Sequence, residues 1–188
     1  MVQIRDWQSM KDMSDRLLQE RTGLDVTTWN QRIRAQHLKD EKALRAWLTE
    51  QGVTSYAQNL LVWERFGYPD FMQASGEELI EGQYADRPQL RPIFEAILGA
   101  VMGLEDVIIQ ARKTYVSLMT TRRTFARLQA TTKQRVDLAL RLEGQKPRGR
   151  LQPSRIQAST PLQISLTTPE DVDAEVLDWL QQAYDQNR

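Results

Sequence analysis

The residues of this sequence best suited to chemistry are the lysines and arginines of segment 107–160. This segment contains 12 basic but only two acidic side chains, a net charge of +10. Segments 1–106 and 161–188 each have a net charge of −5, so the chain as a whole is neutral. A basic segment within an acidic chain is typical of a surface that binds anions, although solvated cations also cluster without any ligand.

The sequence contains few histidine or cysteine residues that could act as metal ligands or nucleophiles. The chain has no cysteine and one histidine, His37, so it cannot build a zinc site from histidine and cysteine or provide a thiol nucleophile. A Ser-His-Asp triad would have to include His37, which we interpret instead as an imidazole at a helix end. The phosphate loops G-x-x-x-x-G-K-S/T and G-x-G-x-x-G do not occur. We therefore expect no catalytic residues, no metal and no cofactor.

Residues 1–67 are predicted to form a small helical module. Apolar residues recur there with helical spacing, and Asp40 before one helix and Gly52 after it are typical of helix ends. Helices are predicted at about 9–21, 26–37, 41–51 and 56–66. Residues 68–87 are rich in turn formers and acids, and we interpret them as a linker.

Residues 88–188 are predicted to form an α+β domain. One helix starts near Pro88 and ends near Val101, and a last helix opens at Thr168. Between them, strands are predicted at 107–110, 113–120, 124–130, 135–142 and 162–166. Helix, four or five antiparallel strands and helix make a two-layer sandwich, in which both helices cover one face of the sheet.

Alternation along these strands assigns the cations to the other face of the sheet. Val116, Leu118, Ala126 and Leu128 would face the helices. The opposite face would carry Lys113, Tyr115, Phe125, Arg127, Lys133 and Arg135. Aromatic rings among cations suit single-stranded nucleic acids, because bases stack on rings and phosphates pair with cations. Arg148 and Arg150, in the loop 143–161, could close over the same ligand.

Asp137 is one of the two acids in the basic segment and falls in the middle of a predicted strand. We expect it to form a cross-strand ion pair, with a catalytic carboxylate as the alternative interpretation.

Three functions remain open from the residues alone. The leading hypothesis is a non-enzymatic binding module that engages nucleic acid or another polyanion through the basic face and loop. The second is an interaction protein, in which that face docks an acidic partner, a second copy of the chain or the chain's own helical module. The third is an enzyme acting on a small anionic substrate near Lys113, Tyr115 and Arg135.

Several motifs resemble domain-of-unknown-function family 5655 over about the last hundred residues. They are Arg91-Pro92-Ile93-Phe94, Lys113-Thr114-Tyr115-Val116-Ser117-Leu118, Thr132-Lys133-Gln134-Arg135-Val136-Asp137-Leu138, Gly149-Arg150-Leu151 and Thr168-Pro169-Glu170-Asp171-Val172-Asp173. The resemblance implies a fold and carries no known activity. The stretch with Arg21-Thr22-Gly23-Leu24 and Ala46-Trp47-Leu48 more loosely resembles family 4287, a small helical domain often found ahead of the first.

The cellular setting follows from what the sequence lacks. Arg5 and Asp6 interrupt the apolar core that a secretory signal would need, and no apolar run reaches the ~18 residues of a membrane span. The absence of cysteine suits a reducing compartment. We therefore expect a cytoplasmic protein without a membrane partner, and the sequence leaves its oligomeric state open.

Overall fold

The computed structural model describes residues 3–5 and 7–188, which divide into two compact units. The helical unit comprises residues 7–74. The α+β unit comprises residues 75–188 together with the short N-terminal strand 3–5. Every helix of the described chain is too short or too polar to cross a lipid bilayer.

Four amphipathic helices build the helical unit. They are α1 (Gln8–Thr22), α2 (Val26–Ala35), α3 (Glu41–Glu50) and α4 (Ser55–Phe66), followed by a 3-10 turn at Asp70–Met72. Asp25 caps α2, because its carboxylate accepts a hydrogen bond of 2.7 Å from the backbone N–H of Thr28. Asp40 caps α3 in the same way. The apolar helix faces meet in a core that includes Leu18, Trp29, Ile33, Leu44, Leu48, Leu60 and Leu61.

In the described residues, a seven-stranded sheet forms the centre of the α+β unit. Its strands are β1 (Gln3–Arg5), β2 (Ile108–Ala111), β3 (Val116–Met119), β4 (Thr124–Thr132), β5 (Arg135–Leu140), β6 (Gln152–Gln157) and β7 (Thr160–Leu166). The spatial order is β1-β2-β3-β4-β5-β7-β6, and β1 runs parallel to β2 while the other neighbours are antiparallel. The predicted α+β fold class is confirmed.

Helices α5 (Gly76–Tyr84), α6 (Arg91–Val101) and α7 (Ala174–Asn187) complete the α+β unit. Helix α7 packs against β4 and β5, and α5 packs against β2. Side chains of α6 and α7 line one shared cleft, so these two helices lie side by side. The sheet residues that alternate inward are almost completely buried: Val116, Leu118, Ala126, Leu128, Val136, Leu138, Leu140 and Ile164.

The segment 68–87, predicted to be a linker, contains helix α5 and therefore differs from that prediction. Ser75 and Glu78 form a capping box, because each side chain bonds the backbone N–H of the other residue. Leu79 and Ile80 of this helix are buried. Helix α5 is thus a part of the α+β core.

Phe125 lies on the helix side of the sheet, not on the opposite face where strand alternation places it. The register between β3 and β4 passes from Leu118 opposite Ala126 to Met119 opposite Thr124, so Phe125 is an extra residue in a β-bulge. The bulge breaks the two-residue period. Phe125 is completely buried and packs edge-on against Tyr184 of α7, with ring centroids 5.6 Å apart.

Replacement of Phe125 by alanine should lower the free energy of unfolding by about 3 to 5 kcal/mol, because it leaves a cavity between sheet and helix. Phe66→Ala is the matched control, since Phe66 is 45% exposed. Urea unfolding followed by circular dichroism measures both variants. A loss at Phe125 no larger than the loss at Phe66 would contradict the bulge placement.

A fragment of residues 75–188 should unfold cooperatively and be more stable than a fragment of residues 88–188. The shorter fragment lacks α5 and therefore the burial of Leu79 and Ile80, each of which contributes roughly 1.5 to 3 kcal/mol. Urea titration of the two fragments measures the difference. Equal midpoints would show that α5 is dispensable for the core.

Candidate anion-binding face of the sheet

A row of polar and small residues crosses the whole sheet on the face opposite the helices. Strand register places successive members of this row directly beside each other. From β1 to β6 the row reads Arg5, Gln110, Ser117, Arg127, Ala139, Gln163 and Gln152. We call this side of the sheet the polar face. Its central position, on the middle strand β4, is occupied by Arg127.

Arg127 is held by its neighbours without a carboxylate. Its guanidinium lies over the ring of Tyr115, 4.2 Å from the centroid. Among the described residues no acidic side chain is within ion-pair distance of Arg127, and its Nε has no hydrogen-bond partner. Partial burial lowers the pKa of Arg127 from its ordinary value, while the charge on an ionised Tyr115 would act in the opposite direction. The arginine remains charged, because an arginine side chain stays protonated in proteins.

Arg135, by contrast, is neutralised within the same face. Its Nε lies 3.1 Å from Oδ1 of Asp137, and that carboxylate is 1% exposed. The hydroxyl of Ser165 donates a hydrogen bond of 2.6 Å to the same oxygen. The ion pair expected for Asp137 therefore forms along strand β5, while its cross-strand partner is a serine.

Two side chains of the loop between β5 and β6 are engaged on α7 instead of the polar face. Arg150 pairs with Asp173 at 2.6 Å and donates a hydrogen bond to the backbone oxygen of Asp171. The guanidinium of Arg148 lies 4.6 Å from the ring centroid of Trp179. The pKa of Asp173 is lowered, first by the hydrogen bond from the backbone N–H of Val176 and less by Arg150.

The eight predicted binding residues therefore do not form one cluster. Tyr115, Arg127 and Arg135 lie on or beside the polar face, and exposed Lys113 lies in the turn between β2 and β3. Exposed Lys133 lies in the turn between β4 and β5, 3.9 Å from Asp86. Phe125, Arg148 and Arg150 lie elsewhere, and for these three the prediction of a shared surface is wrong.

The polar face also contains residues that the sequence analysis left out of the site. Gln163 lies beside Ala139 in the polar row, and its side-chain oxygen accepts a hydrogen bond of 2.8 Å from the backbone N–H of Arg155. The alternation of Leu162, Gln163 and Ile164 is the signal that could have identified it. Gln110 belongs to the row through its register with Ser117 of β3, and Arg5 through its register with Gln110 of β2, which no local pattern reveals.

The polar face combines one half-buried cation, Arg127, with the ion pair of Arg135 and Asp137. In residues 3–5 and 7–188, no group of three histidine, aspartate or glutamate side chains could hold a metal ion. The carboxylate of Asp137 is paired with Arg135 and accepts a hydrogen bond from the hydroxyl of Ser165. What the centre of the face can present to an anion is the half-buried guanidinium of Arg127, because Ser117 and Gln163 of the same row are buried.

The segment that contains most of the sheet matches a known protein-family model. Residues 80–187 match the model of a domain of unknown function, DUF5655. The chain belongs to the DUF5655 family. The match covers α6, α7 and all the strands except β1. No curated protein and no solved structure matches the chain. The looser resemblance of the N-terminal stretch to family 4287 stays a prediction.

Two substitutions in the DUF5655 domain test whether Arg127 and Arg135 contribute differently to the free energy of unfolding. Arg127→Met should leave the free energy of unfolding within about 0.5 kcal/mol or raise it, because it removes a half-buried charge that has no acidic partner. Arg135→Met should lower it by about 1 to 3 kcal/mol, because Asp137 then loses its counterion. Chemical denaturation of both variants measures the difference.

The double variant Arg135→Met with Asp137→Asn is the matched control. It should recover part of the lost stability, since a neutral amide needs no cation. A loss in Arg127→Met as large as that in Arg135→Met would show that Arg127 is a structural residue.

Proposed function

We propose that the DUF5655 domain of this chain is a non-enzymatic binding module for a polyanion, with single-stranded nucleic acid as the ligand. The polar face is the proposed contact surface. Phosphate oxygens would pair with Arg127, and the stacked Arg127 and Tyr115 would offer a flat surface to a neighbouring base.

The observation that carries the proposal is the partly buried, acid-free position of Arg127. Removing a cation from water costs free energy, which a protein ordinarily offsets with a carboxylate, as Asp137 does for Arg135. Arg127 has no such partner in the described chain, and it occupies the middle of the polar row. An incoming phosphate would supply the missing counter-charge in a setting less screened than bulk water.

The positions of Phe125 and Tyr115 limit how many bases could stack on aromatic rings of this face. Phe125 is in the core, so a two-ring stacking surface is not available. One side of the Tyr115 ring is already covered by Arg127. Recognition would therefore depend more on charge and hydrogen bonds than on stacking, which favours binding with little sequence preference.

The rival function, an interaction protein that docks an acidic partner, uses the same cations. An acidic protein surface presents carboxylates in place of phosphates, and Arg127 would pair with either. A nucleic acid differs in its regular array of charges, which makes the affinity depend steeply on salt. The salt dependence is therefore the property that distinguishes the two.

Titration of labelled single-stranded and duplex oligonucleotides at several salt concentrations tests the proposal. The affinity should fall with salt, and Arg127→Ala should reduce the slope of log affinity against log salt by about 0.7, the share of one single-strand phosphate. Arg135→Ala should reduce the slope less, because Arg135 is already paired with Asp137. Tyr115→Ala should weaken binding with little change in slope.

Arg122→Ala is the control for general charge loss, since Arg122 is exposed in the turn between β3 and β4. It should leave both affinity and slope close to those of the unmodified chain. If no nucleic acid binds at low salt, the proposal fails and the interaction protein becomes the better hypothesis.

A further inference from the structure

The helical unit has a surface cleft of its own, with an apolar floor and a basic rim. Its volume is about 250 Å³. The floor consists of Ile33, Leu38 and Leu44, which come from α2, the connection after it and α3. The rim consists of Arg34, His37 and Arg65, and Phe66 lies beside them at the end of α4.

No acid lines this cleft in the described chain, so its rim charge is not balanced locally. Neither Arg34 nor Arg65 forms an ion pair with a described residue. Glu64 directly precedes Arg65, but its carboxylate is bound by Lys11 at 3.5 Å and by the hydroxyl of Tyr68. Arg34 and Arg65 do lie in the last turns of α2 and α4. A helix end carries only about half a negative charge, so each full positive charge leaves an excess.

Phe66 is a second feature that burial within the helical unit does not explain. It is 45% exposed, among the most exposed large apolar side chains of the described chain. The guanidinium of Arg65 lies 5.7 Å from the centroid of its ring. An exposed ring next to a cation and an apolar floor provides both halves of an amphipathic site.

The shape of the cleft favours a protein side chain over a small molecule. Small-molecule sites commonly have volumes of roughly 300 to 1,000 Å³ and enclose most of the ligand. This cleft is smaller, and Arg34, His37 and Arg65 on its rim are all exposed. A single large apolar side chain can anchor in such a depression, as in the centre of many protein interfaces.

We propose that this cleft binds a short acidic peptide segment of a partner protein. One apolar side chain of the segment, such as phenylalanine, enters the cleft against Ile33, Leu44 and Phe66. Flanking carboxylates pair with Arg34, His37 and Arg65. The sheet of the DUF5655 domain takes no part, so this site is independent of the proposed nucleic-acid function.

The test uses the full chain and a labelled peptide with one central phenylalanine and two glutamates on each side. His37 is the sole histidine, so its imidazole signals in an NMR spectrum need no further assignment and should move during the titration. A peptide with alanine in place of phenylalanine should bind at least about tenfold more weakly, because the buried anchor is lost. Arg34→Gln and Arg65→Gln should each weaken binding by up to about fivefold, the effect of one exposed ion pair.

Arg16→Gln is the matched control, because Arg16 is exposed on α1 and does not line the cleft. It should bind the peptide like the unmodified chain, and all variants should keep the amide spectrum of a folded protein. Unchanged imidazole signals, equal binding of the alanine peptide, or an equal loss in Arg16→Gln would each overturn the proposal. So would binding of phenylacetate as tight as that of the peptide, since the cleft would then be a small-molecule site.

Discussion

The burial of one sheet face beneath the helices is the constraint on which the rest of the DUF5655 domain depends. Residues of β3, β4, β5 and β7 that alternate inward are apolar and almost completely buried. Because side chains alternate, the remaining residues must share the other face. Arg127 is therefore at the centre of the sheet as a consequence of where Ala126 and Leu128 pack. The burial that stabilises the fold also determines which side chains can meet a ligand.

Much of this architecture follows from local sequence patterns. The helix caps Asp25 and Asp40 bond as their positions indicate. The five predicted strands correspond to β2, β3, β4, β5 and β7. The last helix differs in its start, because Thr168 begins a 3-10 turn and Asp173 is the residue that caps α7. A cap residue indicates that a helical turn starts nearby, but tertiary packing determines how many residues the helix then includes.

The missed features depend on distant residues or on subtle local exceptions. β1 has only three residues, and its pairing with β2 leaves no periodic signal. β6 contains Pro153, which cannot donate to a ladder and argues against a strand. Alternation predicts the wrong face for Phe125, because Phe125 is itself the extra residue of a bulge. Helix α5 did have a local signal, since Ser75 and Glu78 are three residues apart before an apolar pair.

The parallel pairing of β1 with β2 makes the order of synthesis relevant to folding. Gln3 pairs with Ile108, so the first strand leaves the ribosome well before its partner exists. The helical unit, residues 7–74, lies between the two strands in the sequence. Pairing of β1 with β2 is therefore a long-range step that has to follow the synthesis of β2. Because β1 is short, its unpaired backbone groups offer little surface for aggregation before β2 is available.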